Sequence, residues 1–181
     1  MANVLVPLAQ GCEELEAVTM VDLLRRAGVE VVTAGLDEQP VQASRGVVLI
    51  PDMTLDSALK NSYDMVVLPG GLPGADNLEK DARLIELLRQ MAAEGKYTAA
   101  ICAAPKVLAH AGLLDGKSVT SFPGVLDSVS GMDYQQQPVV TDGKVITSRG
   151  PGTAMDFALE LIEVLVGKQT RDEVEAGLQR P

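Results

Sequence analysis

Apolar residues follow two patterns along the chain, short continuous runs and longer stretches with helical spacing. Residues 3–8 form a continuous apolar run, typical of a strand buried on both faces of a sheet. Residues 13–27 carry apolar positions at helical spacing, Gly28 follows as the expected C-cap, and residues 29–34 form a second apolar run. This order predicts a βαβ unit, whose crossover is right-handed.

The same alternation continues to the end of the chain. Further strands are predicted at 64–68, 97–101, 119–122, 138–141 and 145–148, with a pair of short strands or a bulged hairpin at 41–50. Further helices are predicted at 54–59, 84–93, 105–111, 153–166 and 170–178, and residues 69–74 are predicted as a glycine-rich turn. The chain is therefore expected to form one α/β domain over 1–181, a flavodoxin-like three-layer sandwich with a mostly parallel sheet.

Cys102 lies between a predicted strand and a predicted helix, in the sequence Tyr-Thr-Ala-Ala-Ile-Cys-Ala-Ala-Pro of residues 97–105. The small residues Ala103 and Ala104 permit a tight turn, and Pro105 is favoured in the first turn of a helix. This pattern predicts a nucleophile elbow, at which the positive end of the helix dipole lowers the pKa of the Cys102 thiol. The alternative is that Cys102 is a small buried apolar residue.

A histidine partner for this thiol is not expected. The single histidine, His110, follows Cys102 by eight residues, which is about 12 Å along a helix axis. This separation argues against a cysteine–histidine–aspartate triad and against an ordinary thiol protease or glutaminase. His110 is predicted to be a surface or interface residue.

Carboxylates are the other candidate partners. Glu13, Glu14 and Glu16 lie at the start of the first predicted helix, where the dipole favours negative charge and accounts for Glu13 and Glu14. Glu16 is predicted to lie beside Cys102 and to take up a proton, because a carboxylate held against a thiolate is repelled by it. The alternative is that Glu16, like Glu13 and Glu14, only contributes a favourable negative charge at the start of the helix.

Backbone amides and arginines complete the candidate site. The N–H groups of Gly71 and Ala103 are candidates for an oxyanion hole, with a plain strand-to-helix turn as the alternative. Arg26 and Arg45 are candidates for an anion pocket, with two solvated charges as the alternative.

Charge and cysteine content restrict the function further. The formal net charge of −10 argues against a nucleic-acid or anionic-membrane partner. The chain enters a strand without a signal sequence, so a cytoplasmic protein is expected. Two cysteines and one histidine offer no metal-ligand spacing, and no cofactor is expected. A disulfide between Cys12 and Cys102 stays an alternative to two free thiols.

Six segments together resemble the ThiJ/PfpI superfamily, in the branch of the parkinsonism-linked protein deglycase. They occur in the family's order over nearly the whole chain, at residues 11–16, 22–28, 44–46, 67–71, 99–105 and 147–153. The resemblance implies a flavodoxin-like homodimer. It also implies that Cys102 is the nucleophile, Glu16 its protonated neighbour, and the Gly71 and Ala103 amides the donors, with Arg26 and Arg45 near an anion site at the dimer interface.

The resemblance implies cysteine-dependent conversion of 2-oxoaldehydes such as methylglyoxal to hydroxy acids without glutathione, and reversal of early protein glycation. The alternative is a peroxide-responsive sensor or chaperone-like stress protein that uses a Cys102 sulfinate. A proteolysis or amidotransfer subunit is disfavoured by the missing histidine. Phe122 departs from many relatives, which carry a histidine there, and phenylalanine cannot transfer a proton.

Overall fold

The computed structural model describes all 181 residues. The strands are β1 (Asn3–Leu8), β2 (Glu30–Gly35), β3 (Val41–Gln42), β4 (Val48–Leu49), β5 (Met53–Thr54), β6 (Met65–Leu68), β7 (Tyr97–Ile101), β8 (Ser118–Val119), β9 (Asp133–Tyr134), β10 (Val139–Asp142) and β11 (Val145–Ser148). The helices are α1 (Glu14–Arg26), α2 (Leu55–Ala58), α3 (Leu72–Lys80), α4 (Ala82–Ala93), α5 (Pro105–His110), α6 (Ala154–Val166) and α7 (Lys168–Gly177), and a 3₁₀ turn (Pro151–Thr153) precedes α6.

A seven-stranded sheet in the order β10-β11-β7-β6-β1-β2-β5 forms the centre of the fold. Every neighbouring pair is parallel except β10 and β11, which form an antiparallel hairpin. The strands β3 and β4 pair separately as an antiparallel hairpin, and β8 pairs with β9. The predicted mostly parallel α/β sheet is confirmed, and so is the hairpin at 41–50.

Helices cover both faces of this sheet. In β1, Val4 and Val6 pack with α1, α6 and α7, whereas Leu5 packs with α2, α4 and α5. This division follows from strand geometry, because successive side chains point to opposite faces of a sheet. The two resulting apolar clusters are the two cores of a three-layer sandwich, so the flavodoxin-like architecture is confirmed.

Two predicted elements are wrong. The predicted turn at 69–74 contains the start of α3, because Pro73 is tolerated in the first turn of a helix. Gly74 is needed in that turn because a Cβ there would lie 2.6 Å from the backbone of Cys12. The predicted strand at 119–122 ends at Val119, because the Thr120 N–H bonds to Thr147 Oγ1 and the Phe122 N–H bonds to the Cys102 carbonyl.

The first helix is apolar on two sides. Its buried side includes Met20 and Leu24, which pack in the core, whereas Leu15 and Val18 are exposed. One apolar surface of α1 is therefore left uncovered in the single chain. No helix of the protein is both long enough and apolar enough to cross a lipid bilayer.

Candidate active site

Cys102 sits at the turn between β7 and α5 with φ = 63°, a left-handed conformation that is rare outside glycine. Its backbone is held on both sides, since its N–H donates to the Ser148 carbonyl at 3.0 Å and its carbonyl accepts the Phe122 N–H at 2.9 Å. Strain of this kind costs about 1–3 kcal/mol and persists where the surroundings fix it. The geometry is that of the predicted nucleophile elbow, and Pro105 begins α5 as predicted.

Gly70 allows the thiol and the carboxyl of Glu16 to come together. A Cβ at this position would lie 2.6 Å from the Cβ of Cys102 and 2.7 Å from Oε2 of Glu16. Both distances are shorter than real contacts, so only glycine leaves room for this pair. The glycine-rich segment after β6 therefore sets the distance between the two groups as well as making the turn.

Glu16 is fully buried on α1 and reaches from the helix to the elbow. Its Oε2 accepts the Gly70 N–H at 2.7 Å, and its own N–H is capped by Glu13 Oε2 at 2.8 Å. Its Oε1 is buried and has no hydrogen-bond partner. Burial raises the pKa of Glu16 to about 7, against the lowering effects of the Gly70 N–H and of the Cys102 thiol. The shift has the predicted direction.

The pKa of Cys102 is shifted opposite to the prediction. Burial, and then the negative charge and hydrogen bonding of Glu16, raise the pKa of Cys102 to about 12. The N–H groups of Gly71 and Ala103 lower it, but by less. The α5 dipole does not decide the matter, because that helix has only six residues. These influences favour the thiol form of Cys102 at neutral pH, and the Glu16 carboxyl is the titratable group beside it.

The amides predicted as oxyanion donors are close to the sulfur. The backbone N–H groups of Gly71 and Ala103 both favour a negative charge on Cys102. They belong to different elements, the residue before α3 and the elbow itself, so the sulfur lies between two loops at the carboxyl end of the sheet. Their role with a bound substrate stays a prediction.

The thiol opens into a cavity of about 630 Å³. Its polar side chains come from Glu13 at the start of α1 and from Ser44 and Arg45 between β3 and β4. The rest of the lining is mainly apolar or glycine, supplied by Gly71, Leu72, Pro73, Ala103, Phe122, Pro123, Gly124, Val125 and Pro151. The cavity is large enough for a small organic molecule in contact with Cys102.

Glu14 forms hydrogen bonds with the segment that contributes Ser44 and Arg45 to this cavity. Its carboxylate accepts the Ser44 hydroxyl at 3.1 Å and the Arg45 N–H at 2.8 Å. These hydrogen bonds lower the pKa of Glu14 despite its partial desolvation. The prediction that Glu14 serves only as helix-start charge is thus incomplete. About thirty residues separate it from its partners, and no local pattern indicates such a pairing.

Arg26 and Arg45 are not brought together within this chain. Arg26 forms an ion pair with Asp22 one helical turn earlier and lines a separate cavity of about 590 Å³ beside α1. Arg45 lines the Cys102 cavity. A shared anion site for the two arginines therefore stays a prediction.

His110 and Cys12 are the remaining candidate groups. His110 is an exposed residue whose Nδ1 is 3.7 Å from Glu79 Oε1, which confirms its predicted surface position. Both cysteines are free thiols, so the Cys12–Cys102 disulfide is not formed. Cys12 is fully buried, and burial and neighbouring glutamates raise its pKa to about 12. Histidine, cysteine and acidic side chains form no cluster of three or more that would hold a metal ion.

Comparison with known proteins establishes the family to which the chain belongs. The model of the DJ-1/PfpI family matches residues 2–164, which includes the elbow, Glu16 and the cavity. The chain belongs to the DJ-1/PfpI family. The resemblance seen in the six sequence segments is therefore confirmed.

Individual relatives agree with this family assignment. The crystal structure of Drosophila melanogaster DJ-1beta superposes with a TM-score of 0.95 and 44% identity, covering 99% of this chain and 98% of that one. Glutathione-independent glyoxalase DJR-1.2 of Caenorhabditis elegans is 36% identical over 170 residues, 93% of this chain and 90% of that protein. Protein DJ-1 homolog B of Arabidopsis thaliana is 44% identical over 98% of this chain, which spans only 40% of the plant protein.

The DJ-1/PfpI family includes a protein named as a glyoxalase, so a glyoxalase or deglycase role is compatible with membership. The assignment of candidate residues for such chemistry depends on the geometry of this chain. Sequence reasoning found the thiol, the buried carboxyl and the amide donors. It missed Leu72 and Pro73 as cavity residues, because the helix that presents them was not recognised.

Proposed function

We propose that the protein converts 2-oxoaldehydes to 2-hydroxy acids without glutathione, through a hemithioacetal on Cys102. The observation that carries this proposal is the contact between an elbow cysteine and a buried carboxyl whose pKa is about 7, at the base of an open cavity. A general base with a pKa near the working pH is the most effective one. The match to a glyoxalase-named relative supports the same chemistry.

The reaction begins when the Cys102 sulfur attacks the aldehyde carbon and the thiol proton passes to ionised Glu16. Glu16 returns this proton to the new oxygen, while the Gly71 and Ala103 amides stabilise the negative charge that develops there. Glu16 then removes the hydrogen of the former aldehyde carbon as a proton and delivers it to the former ketone carbon, and it also transfers the hydroxyl proton of the hemithioacetal to the former ketone oxygen. This internal exchange oxidises one carbon, reduces the other and leaves a thioester.

Water hydrolyses the thioester, releases the hydroxy acid and restores the thiol. No external oxidant or reductant is consumed. Because Phe122 cannot transfer a proton, Glu16 carries every proton transfer in this scheme. The same attack on an early aldehyde adduct of a protein amine would reverse glycation, so glycated proteins are a second substrate class of the proposal.

The test is lactate formation from methylglyoxal without glutathione, compared among wild type, Cys102→Ser, Glu16→Gln and Cys12→Ala. We expect Cys102→Ser to fall to the uncatalysed rate and Glu16→Gln to lose about 100-fold or more, as is usual for general acid–base groups. Cys12→Ala is the control, since Cys12 is buried outside the cavity lining. Turnover by Cys102→Ser at the wild-type rate contradicts the proposal.

A second candidate function is peroxide sensing, with or without chaperone-like activity, and it rests on Glu16 Oε1. This oxygen is buried without a partner, so a protonated Glu16 has a hydrogen free for an oxygen of a Cys102 sulfinate. Two peroxide molecules would oxidise the thiol through sulfenate to sulfinate, each leaving as water. Selective oxidation of Cys102 by mild peroxide is the expected result, and equal oxidation of Cys12 argues against this function.

We also propose that the protein is a homodimer. Val18 and Ile50 line the cavity beside α1 and are exposed, Ile50 by 84%, and Leu15, Val47 and Val48 are further exposed apolar residues on α1 and on the hairpin that Glu14 contacts. Exposed apolar surface is typical of association sites. Light scattering is expected to give a dimer for the wild type and a monomer for Val18→Glu, and a monomeric wild type would contradict this assignment.

A further inference from the structure

We propose that Phe122 makes this site selective for 2-oxoaldehydes whose substituent is large and apolar, preferably aromatic, over methylglyoxal. This inference rests on the proposed function for its substrate class. In this inference, the apolar side of the cavity binds the substituent of the substrate, whereas the groups in the proposed reaction act on its aldehyde. The two can therefore be tested separately.

The backbone of Phe122 is held next to Cys102 by hydrogen bonds. The Phe122 N–H donates to the carbonyl of Cys102 itself at 2.9 Å, and its own carbonyl accepts the Val125 N–H at 3.1 Å and the Ser121 hydroxyl at 2.9 Å. On the other side, a Cβ at Gly150 would be 3.4 Å from the ring carbon Cδ2. The backbone that bears the ring is thus tied to the elbow.

The ring is nevertheless half open to the cavity. Phe122 is 49% exposed and Leu72 is 63% exposed, although both line the space above the thiol. Exposed large apolar side chains at a cavity wall are available to a ligand, and the burial of their surface stabilises an apolar group. Pro123, Val125 and Pro151 extend the same apolar wall.

The cavity is also larger than a three-carbon aldehyde requires. Its volume of about 630 Å³ lies within the range of sites for drug-sized ligands. A methyl group would leave most of the apolar wall in contact with water, whereas a phenyl group would cover it and stack on the ring. The polar groups Glu13, Ser44 and Arg45 belong to other segments and leave this wall free of charge.

The first assay compares the kcat/KM values for phenylglyoxal and methylglyoxal. We expect wild type to favour phenylglyoxal, and Phe122→His to lower the ratio of the two values about tenfold, the discrimination that an apolar pocket provides. Phe122→Leu keeps an apolar side chain and should retain most of the ratio. Leu87→His is the matched control, because Leu87 lines a different cavity on α4.

The second assay needs no turnover. The rate constants for alkylation of Cys102 by iodoacetanilide and by iodoacetamide are measured by peptide mass spectrometry. The intrinsic reactivity of the thiol affects both rate constants equally. The ratio of the iodoacetanilide rate constant to the iodoacetamide rate constant therefore measures recognition of the phenyl group. We expect the ratio to fall about tenfold in Phe122→His and to stay unchanged in Leu87→His.

The outcomes separate the inference from the proposed function. A wild type that turns over neither aldehyde but loses its alkylation preference on Phe122→His refutes the proposed reaction and supports apolar recognition by Phe122. A wild type that turns over both aldehydes, with ratios unaffected by Phe122→His in both assays, supports the reaction and overturns the inference.

Discussion

Replacing Glu16 by glutamine should stabilise the folded protein at alkaline pH and have little such effect at acidic pH. The pKa of Glu16 is about 7 in the fold because of burial, against an ordinary value of 4.5. Between these values the folded protein holds one more proton than the unfolded chain, so the free energy of unfolding falls as pH rises. The contribution is fully present below pH 4.5 and is lost as pH passes 7. At 1.36 kcal/mol for each pKa unit, the loss is about 3 kcal/mol.

Glu16→Gln removes this titration, since an amide carries no ionisable proton and its oxygen can still accept the Gly70 N–H. Urea unfolding of both proteins at pH 4.5 and pH 8, at one protein concentration, measures the effect. The stability of Glu16→Gln relative to wild type should rise by about 3 kcal/mol between the two pH values. Glu38→Gln, at an exposed turn, is the matched control. An equal difference at both pH values would refute the assignment of a buried, proton-binding Glu16.

Three further substitutions test the packing around the site. Gly70→Ala should abolish turnover and slow Cys102 alkylation strongly, because the added Cβ would meet the Cys102 Cβ at 2.6 Å and Glu16 Oε2 at 2.7 Å; unchanged alkylation in folded protein would contradict this. Thr120→Val should be neutral or stabilising in chemical denaturation, because the buried Thr120 hydroxyl has no partner. Thr147→Val should instead cost about 1–3 kcal/mol, because it leaves the buried Thr120 N–H without its acceptor at 2.9 Å; equal effects of the two valine substitutions would argue against this hydrogen-bond assignment.

Much of the fold is predictable because hydrophobic periodicity and turn residues are local signals. Residues 3–8 form β1 as predicted, and the predicted hairpin of 138–148 is present as β10 and β11. The elbow at Cys102 is predictable for the same reason, because a strand, small residues and Pro105 are adjacent in sequence. The errors fall where local signals mislead. Glycine and proline at 70–74 suggest a turn, although α3 begins at Leu72 with Pro73 in its first turn and Gly74 packs tightly against Cys12.

The electrostatics of the site could not be derived from the sequence alone. The pKa of Cys102 depends on burial and on Glu16, which lies on a different element and is separated from the elbow only by Gly70. A helix dipole is the only influence that the local sequence reveals, and it has the opposite sign. The contact of Glu14 with Ser44 is likewise nonlocal. Such pairings are set by the sheet order, which brings loops distant in sequence to one edge.

Mass spectrometry of Cys102 during turnover tests the central claim most directly. Rapid acid quenching of the protein with methylglyoxal should show one added methylglyoxal on the Cys102 peptide, since hemithioacetal and thioester have the same composition. The adduct should form much more slowly in Glu16→Gln, which lacks the group that accepts the thiol proton, and it should be absent in Cys102→Ser. Lactate formed at an undiminished rate by Cys102→Ser, or by a wild type that never carries the adduct, would contradict covalent catalysis by Cys102.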